Sequence, residues 1–135
     1  MKQKILDLVS QLINDGSGIF ELDDLNTYVN KLIEKACIII VVEQDVLQGF
    51  LAYYANDHVN KIGFISMLIV SPSVWRMGYG RRLVEFSLKD LVLKGFRKCC
   101  TEVKEDNIKA LNMCKRLGFF SVGTKGKYLV LEKVL

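Results

Sequence analysis

Apolar residues in the first third of the chain recur at helical spacing. Over residues 2–14, Ile5, Leu6, Val9, Leu12 and Ile13 share one helical face. Asn14-Asp15-Gly16-Ser17-Gly18 interrupts that pattern with turn-forming residues. A second helix is expected through Leu25, Tyr28, Val29, Leu32, Ile33 and Ala36, with Asp23 and Asp24 in its first turn. The pattern then changes to β-branched runs, Cys37 to Glu43 and Val46 to Tyr54, which Gln44-Asp45 joins as a hairpin. Ala55 to Lys61 reads as a polar loop and Gly63 to Val70 as a third strand. Leu83, Val84, Leu88 and Leu91 mark a third helix, which Gly95 ends as a left-handed cap. Arg97 to Val103 is a strand, Asn107 to Leu117 a helix closed by Gly118, and Phe119–Val122 with Tyr128–Val134 a final hairpin. Nothing repeats and no linker divides the chain, so one domain over residues 1–135 is expected.

One junction in this pattern carries chemistry. Strand 63–70 runs through a turn at Pro72 into Trp75-Arg76-Met77-Gly78-Tyr79-Gly80-Arg81-Arg82, where a helix begins. Such a loop exposes unpaired N–H groups at the positive end of a helix dipole, a setting that suits a phosphate or pyrophosphate. Gly78 and Gly80 remove the Cβ atoms that keep an anion away from the backbone, and three arginines add charge. The dinucleotide fingerprint fails because Leu83 stands where its third glycine belongs. The triphosphatase loop fails because no Gly-Lys-Ser/Thr ending is present.

Composition narrows the reading further. Half of the 135 residues are hydrophobic and a quarter charged, which is globular. The net charge of +4 is spread among acids, so nucleic acid is not an expected partner. Cys37, Cys99, Cys100 and Cys114 form no CxxC pair, and three of them lie in apolar runs where free cysteine acts as a small hydrophobe. With no secretory or membrane-spanning run, a reduced cytoplasmic protein is expected, with no structural metal.

Two segments resemble one family. Trp75 to Gly80 is similar to motif A of the GCN5-related N-acetyltransferases, Gln/Arg-x-x-Gly-x-Gly/Ala, with Trp75 in the Gln/Arg place. Glu102 to Phe119 resembles the family's strand-Asn-helix-Gly-Phe segment, in the expected order and separation. The likeness is specific from about Gly49 onward. It implies an α/β fold, a central mixed sheet flanked by helices, with the first strand weak, absent or reduced to a scrap near Gly18–Leu22. It also implies acetyl-CoA as co-substrate and a small-molecule amine, such as an amino sugar, as acceptor. A homodimer through the last strands is expected, with Tyr128 to Leu131 as an apolar edge needing cover.

The resemblance distributes roles along the chain. Backbone groups of Leu68, Ile69 and Val70 would run along the pantetheine arm, Asn107 would contact that arm, and loop amides of Arg76, Met77, Gly78, Tyr79, Gly80 and Arg81 would hold the pyrophosphate. The physical logic is that parallel strands 63–70 and 97–103, parting at their C-terminal ends, leave backbone groups that a ligand's amides can pair as an added strand. Glu102 matches the family's glutamate base, and Ser66 stands where other members carry an acid. Cys114 falls where a tyrosine acid is usual; core packing competes with a proton-donor role there, and Tyr79 is another candidate donor. Trp75 covers the loop or an adenine, or packs on the helix start. Acceptor contacts are one use for Asn56, Asp57 and His58, against a solvated loop, and for Glu21, Asp23 and Asp24, where helix capping is the favoured use. Two alternatives stay open: a CoA-binding module without turnover, and O-acetylation of a sugar hydroxyl.

Overall fold

A computed structural model describes residues 2–14 and 22–135. The elements in order are α1 (Lys2–Asn14), α2 (Leu22–Lys35), β1 (Cys37–Glu43), β2 (Val46–Asp57), β3 (Ile62–Val70), α3 (Tyr79–Leu93), β4 (Lys98–Lys104), α4 (Ile108–Arg116), β5 (Phe120–Lys125) and β6 (Tyr128–Val134). The strands form one mixed sheet in the order β1-β2-β3-β4-β6-β5, parallel only between β3 and β4. That single parallel pair is joined through α3, as a crossover requires.

Each face of the sheet has its own core. Ile5, Leu8 and Val9 of α1 and Val29 and Leu32 of α2 pack on Phe50, Ala52, Met67 and Ile69. On the opposite face Leu83, Val84, Leu88 and Leu91 of α3 and Cys114 of α4 meet Leu51, Tyr53, Ile65, Cys99 and Leu131. Complete burial of a large side chain such as Phe50 or Leu91 contributes roughly 1.5–3 kcal/mol. Gly63 lets α3 sit directly on β3, since a Cβ there would lie 2.6 Å from the Leu91 methyl groups.

Local signals set the boundaries. Gln44 and Asp45 both take positive φ, the conformation of a two-residue hairpin turn. Helix α3 ends in a Schellman arrangement: Phe96 N–H donates to Leu91 O at 2.9 Å and Gly95 N–H to Val92 O at 3.0 Å, with Gly95 at φ 84°.

Two expectations change, and the weak or absent first strand holds among the described residues. Strand β2 runs to Asp57, so the polar loop begins at 58 and not at Ala55; Asp57 pairs with Ile62, and its carboxylate accepts Asn60 N–H at 3.0 Å. That Asx turn explains why polar residues there still belong to a strand end. Tyr128 to Leu131 is no edge, because β6 inserts between β4 and β5, leaving β5 as the outer strand. Among the described residues no strand precedes α1. The break at 15–18, the fragment at 18–21 and the side chains of Glu21, Asp23 and Asp24 lie outside the described residues.

Candidate active site

The site begins with an irregularity in β3. Ala52 pairs with Met67 and Tyr53 with Ile65, so Ser66 is an extra residue, a β-bulge. The β3–β4 register ends at Ile65 opposite Thr101. There the Thr101 hydroxyl donates to Ile65 O at 3.0 Å, finishing the zipped part of the pair with a side chain. Beyond it, Ser66–Ile69 and Glu102–Lys104 flank a crevice of about 430 Å³, and Val70 lies outside its lining. Leu68, Ile69, Val84, Met113 and Cys114 line it, and Tyr28 of α2 contributes from the other face.

The glycine loop lies at the mouth of this crevice. Gly78 caps α3 at φ 82°, and an added Cβ there would meet nothing within 4 Å, so the loop faces open space. Arg76 also takes a positive φ of 70°, a strained state for a residue with a Cβ. The first backbone bond of α3 runs from Arg82 N–H to Gly78 O at 3.1 Å, which leaves the amides of Tyr79, Gly80 and Arg81 without an intrahelical acceptor. A Cβ on Gly80 would lie 3.7 Å from both Leu68 Cδ2 and Met113 Sδ, which places Gly80 over the crevice. The arginines differ in use: Arg81 pairs with Glu85 at 2.7 Å, and Arg82 sits 6.0 Å from the Tyr79 ring centroid. The Met77 side chain is exposed, so the loop backbone is what this segment offers an anion.

Trp75 takes a position that neither sequence reading anticipates. Its indole N–H donates to Val70 O at 2.7 Å, and Lys109 Nζ lies 5.0 Å from the ring centroid. The indole thereby links the end of β3 to the first turn of α4. Of the three strand residues assigned to cofactor contact, Val70 has its carbonyl already engaged by this side chain.

The candidate acid–base groups fall on opposite sides. Glu102 lines the crevice half-buried, with Lys125 Nζ 3.8 Å from its carboxylate. Cys114 lines it from α4, is buried in the α3-side core, and has its thiol pKa pushed up by that burial. The Tyr79 hydroxyl is hydrogen-bonded to Glu43, which raises its pKa and directs it toward the β1 end and not the crevice. Asn107 lines the crevice and caps α4, its Oδ1 accepting Ala110 N–H at 3.2 Å. Asn56, Asp57 and His58 sit at the far end of β3, where His58 meets Phe96 edge-on at 5.7 Å. The crevice opens at the other end of that strand, so the acceptor contact expected of them does not form.

Sequence reasoning missed Tyr28, Phe64 and Lys104 as lining residues. Its spacing puts Tyr28 on the apolar face of its helix, and its hydroxyl is the available hint: it shares a 2.8 Å hydrogen bond with Ser66. Ser66 is itself the only polar side chain of β3, a mark of the bulge.

The sequence matches the profile of the acetyltransferase (GNAT) family over residues 7–119, and the chain belongs to that family. No curated protein matches it. Among solved structures it is similar to the PaiA N-acetyltransferase of Thermoplasma acidophilum in complex with coenzyme A, at TM-score 0.82 and 15% identity over 99% of this chain and 92% of that one. It is also similar to aminoglycoside 6'-acetyltransferase type Ii, at 0.81 and 18% over 98% and 88%. The NatC complex bound to Gag peptide and CoA gives 0.75 and 19% over 99% and 90%. At such identities the likeness establishes the shared fold.

Proposed function

We propose that the chain is an acetyl-CoA-dependent N-acetyltransferase that passes the acetyl group directly to the amine of a small molecule. The observation that carries this reading is the parting of β3 and β4 beside a helix start with three amides lacking intrahelical acceptors. Coenzyme A in two of the similar structures supports the same co-substrate here. The residues fit such a ligand: the loop is open at Gly78, and the crevice is lined by backbone and apolar groups suited to a pantetheine arm.

Leu68, Ile69 and Val70 would hold the arm through their backbone, with Val70 O released from Trp75, and Asn107 would add a side-chain contact from α4. Amides from Arg76 to Arg81 would hold the pyrophosphate, that of Met77 after release from Val74 O, to which it donates at 3.4 Å. Bound acetyl-CoA supplies an activated acyl thioester. Glu102 takes the proton from the acceptor ammonium, since only the neutral amine attacks. Cys114 Sγ, kept protonated by burial, holds a proton on the α4 side for the departing sulfur. No described helix is long and apolar enough to cross a membrane; a cytoplasmic location belongs to the proposal, as does pairing of two copies, for which β5 is the exposed edge.

The test is steady-state release of CoA from acetyl-CoA across a panel of amines and sugar hydroxyls. Turnover with an amine is expected, and Glu102→Gln should lower kcat by about 10²–10⁴-fold while acetyl-CoA binding stays unchanged. The burial of Cys114 in the core favours a second reading, a CoA-binding module without turnover. Tight acetyl-CoA binding with no acceptor that releases CoA would establish that reading and end the first.

A further inference from the structure

Trp75 stands between the two halves of the site. Successive residues of a strand aim their backbone N–H and C=O groups to opposite sides. Ser71 N–H donates to Gln48 O at 2.7 Å, which turns the polar backbone groups of Ser71 toward β2. Those of Val70, one residue earlier, therefore point the other way, to the side where β4 has parted from β3. Val70 also lies between the crevice and the loop: the crevice lining on β3 ends at Ile69, and a Cβ on Gly80 would lie 3.8 Å from Val70 Cγ2. A ligand with its diphosphate on the amides of Tyr79 to Arg81 and its arm in the crevice must pass the Val70 carbonyl. The indole N–H of Trp75 already holds that carbonyl, at 2.7 Å. Lys109 Nζ, 5.0 Å from the ring centroid, holds the indole in turn from α4.

The contact is built so that it can open. Trp75 N–H donates to Pro72 O at 3.3 Å, which keeps the backbone with the short turn at 72–74 while the side chain rotates. The residue is 51% exposed, so swinging the ring outward uncovers little buried area. What the ring gives up is one neutral hydrogen bond and one exposed cation–ring contact, each of them small. Together they are too weak to exclude a cofactor and strong enough to lower its apparent affinity, because only the open arrangement accepts it. We infer that Trp75 is a latch on the cofactor path: its indole competes with the pantetheine arm for Val70 O, and acetyl-CoA displaces it on binding. This rests on the acetyl-CoA-dependent reading and adds a self-inhibiting contact to the same site.

Trp75 is the one tryptophan of the chain, so its fluorescence reports on the latch alone. Acrylamide quenching of that emission is expected to increase when acetyl-CoA is added, as the ring swings into solvent. Calorimetry of acetyl-CoA binding is then repeated on Trp75→Phe, which keeps a ring and removes the N–H. The variant should bind about fivefold more tightly, the equivalent of one neutral hydrogen bond that no longer has to be broken. Thermal melting of the variant checks that it is folded, and the quenching measurement on the unaltered chain does not depend on it. Unchanged or weaker binding in Trp75→Phe overturns the latch and leaves the N-acetyltransferase reading standing. Quenching that stays constant or falls, as it would if the cofactor covered the ring, does the same. Tighter binding in the variant with no amine turned over keeps the latch and removes the catalytic reading. No binding of acetyl-CoA to either form overturns both.

Discussion

The two ends of the β3–β4 pair make different things from the same material. From Ile62 to Ile65 the strands are in register, closed by the Thr101 hydroxyl and covered by Leu91. From Ser66 onward the same strands border a crevice. One inserted residue separates the two regimes. Below it backbone groups are spent within the sheet; above it they are available to a ligand. The lower end is built for stability and the upper end for binding, so changes at one should leave the other largely intact.

The strongest way to break the upper end is to fill its loop. Gly78→Val places a β-branched residue at φ 82°, which costs about 1–2 kcal/mol unless the loop moves. Movement would misdirect the amides beyond it, and loss of two charge-assisted hydrogen bonds corresponds to roughly 100-fold in acetyl-CoA affinity. Calorimetry on the variant checks this, with thermal melting to separate strain from lost binding. The lower end responds in the opposite sense. Gly63→Ala drives a methyl group against the fully buried Leu91, where overpacking costs about 1–3 kcal/mol. Urea denaturation should register that loss, while acetyl-CoA affinity in the surviving folded protein stays within about twofold.

A smaller effect sharpens the comparison through pH. Burial pushes the Cys99 thiol from 9.0 up to about 12, and Cys114 is raised by the same cause. The folded state therefore holds protons that the unfolded chain releases. Their contribution is complete below about pH 9 and is lost as pH rises toward the folded values. Melting temperature should fall across that alkaline window, and Cys99→Ala should flatten the fall even though its small cavity lowers stability at neutral pH.

Much of this was legible in the residues. Periodicity located α3 and β3, because each buries a regular face, while β1 and β2 were marked by their β-branched runs, and Gly95 marked a helix end through its backbone preference. The glycine loop was legible because an anion cradle needs open backbone, which few residue types allow. Strand insertion was not: nothing in Tyr128 to Leu131 distinguishes an interior strand from an edge, since both are apolar, and only pairing decides. The role of Trp75 was hidden for a related reason. Its indole reaches back to Val70 and is met by Lys109, contacts set by the angle between β3 and α4 and not by sequence spacing. Tyr28 lay on the apolar face of α2, where its spacing spoke for packing and its hydroxyl for something more.

Amide hydrogen exchange with and without acetyl-CoA tests the central claim most directly, because the claim concerns backbone groups. Added ligand is predicted to slow exchange at the end of β3, over 67–70, and at the start of α3, over 78–82, and to leave Ile62 to Ile65 as it was. Protection spread evenly along β3, or confined to segments away from the glycine loop, would contradict the account.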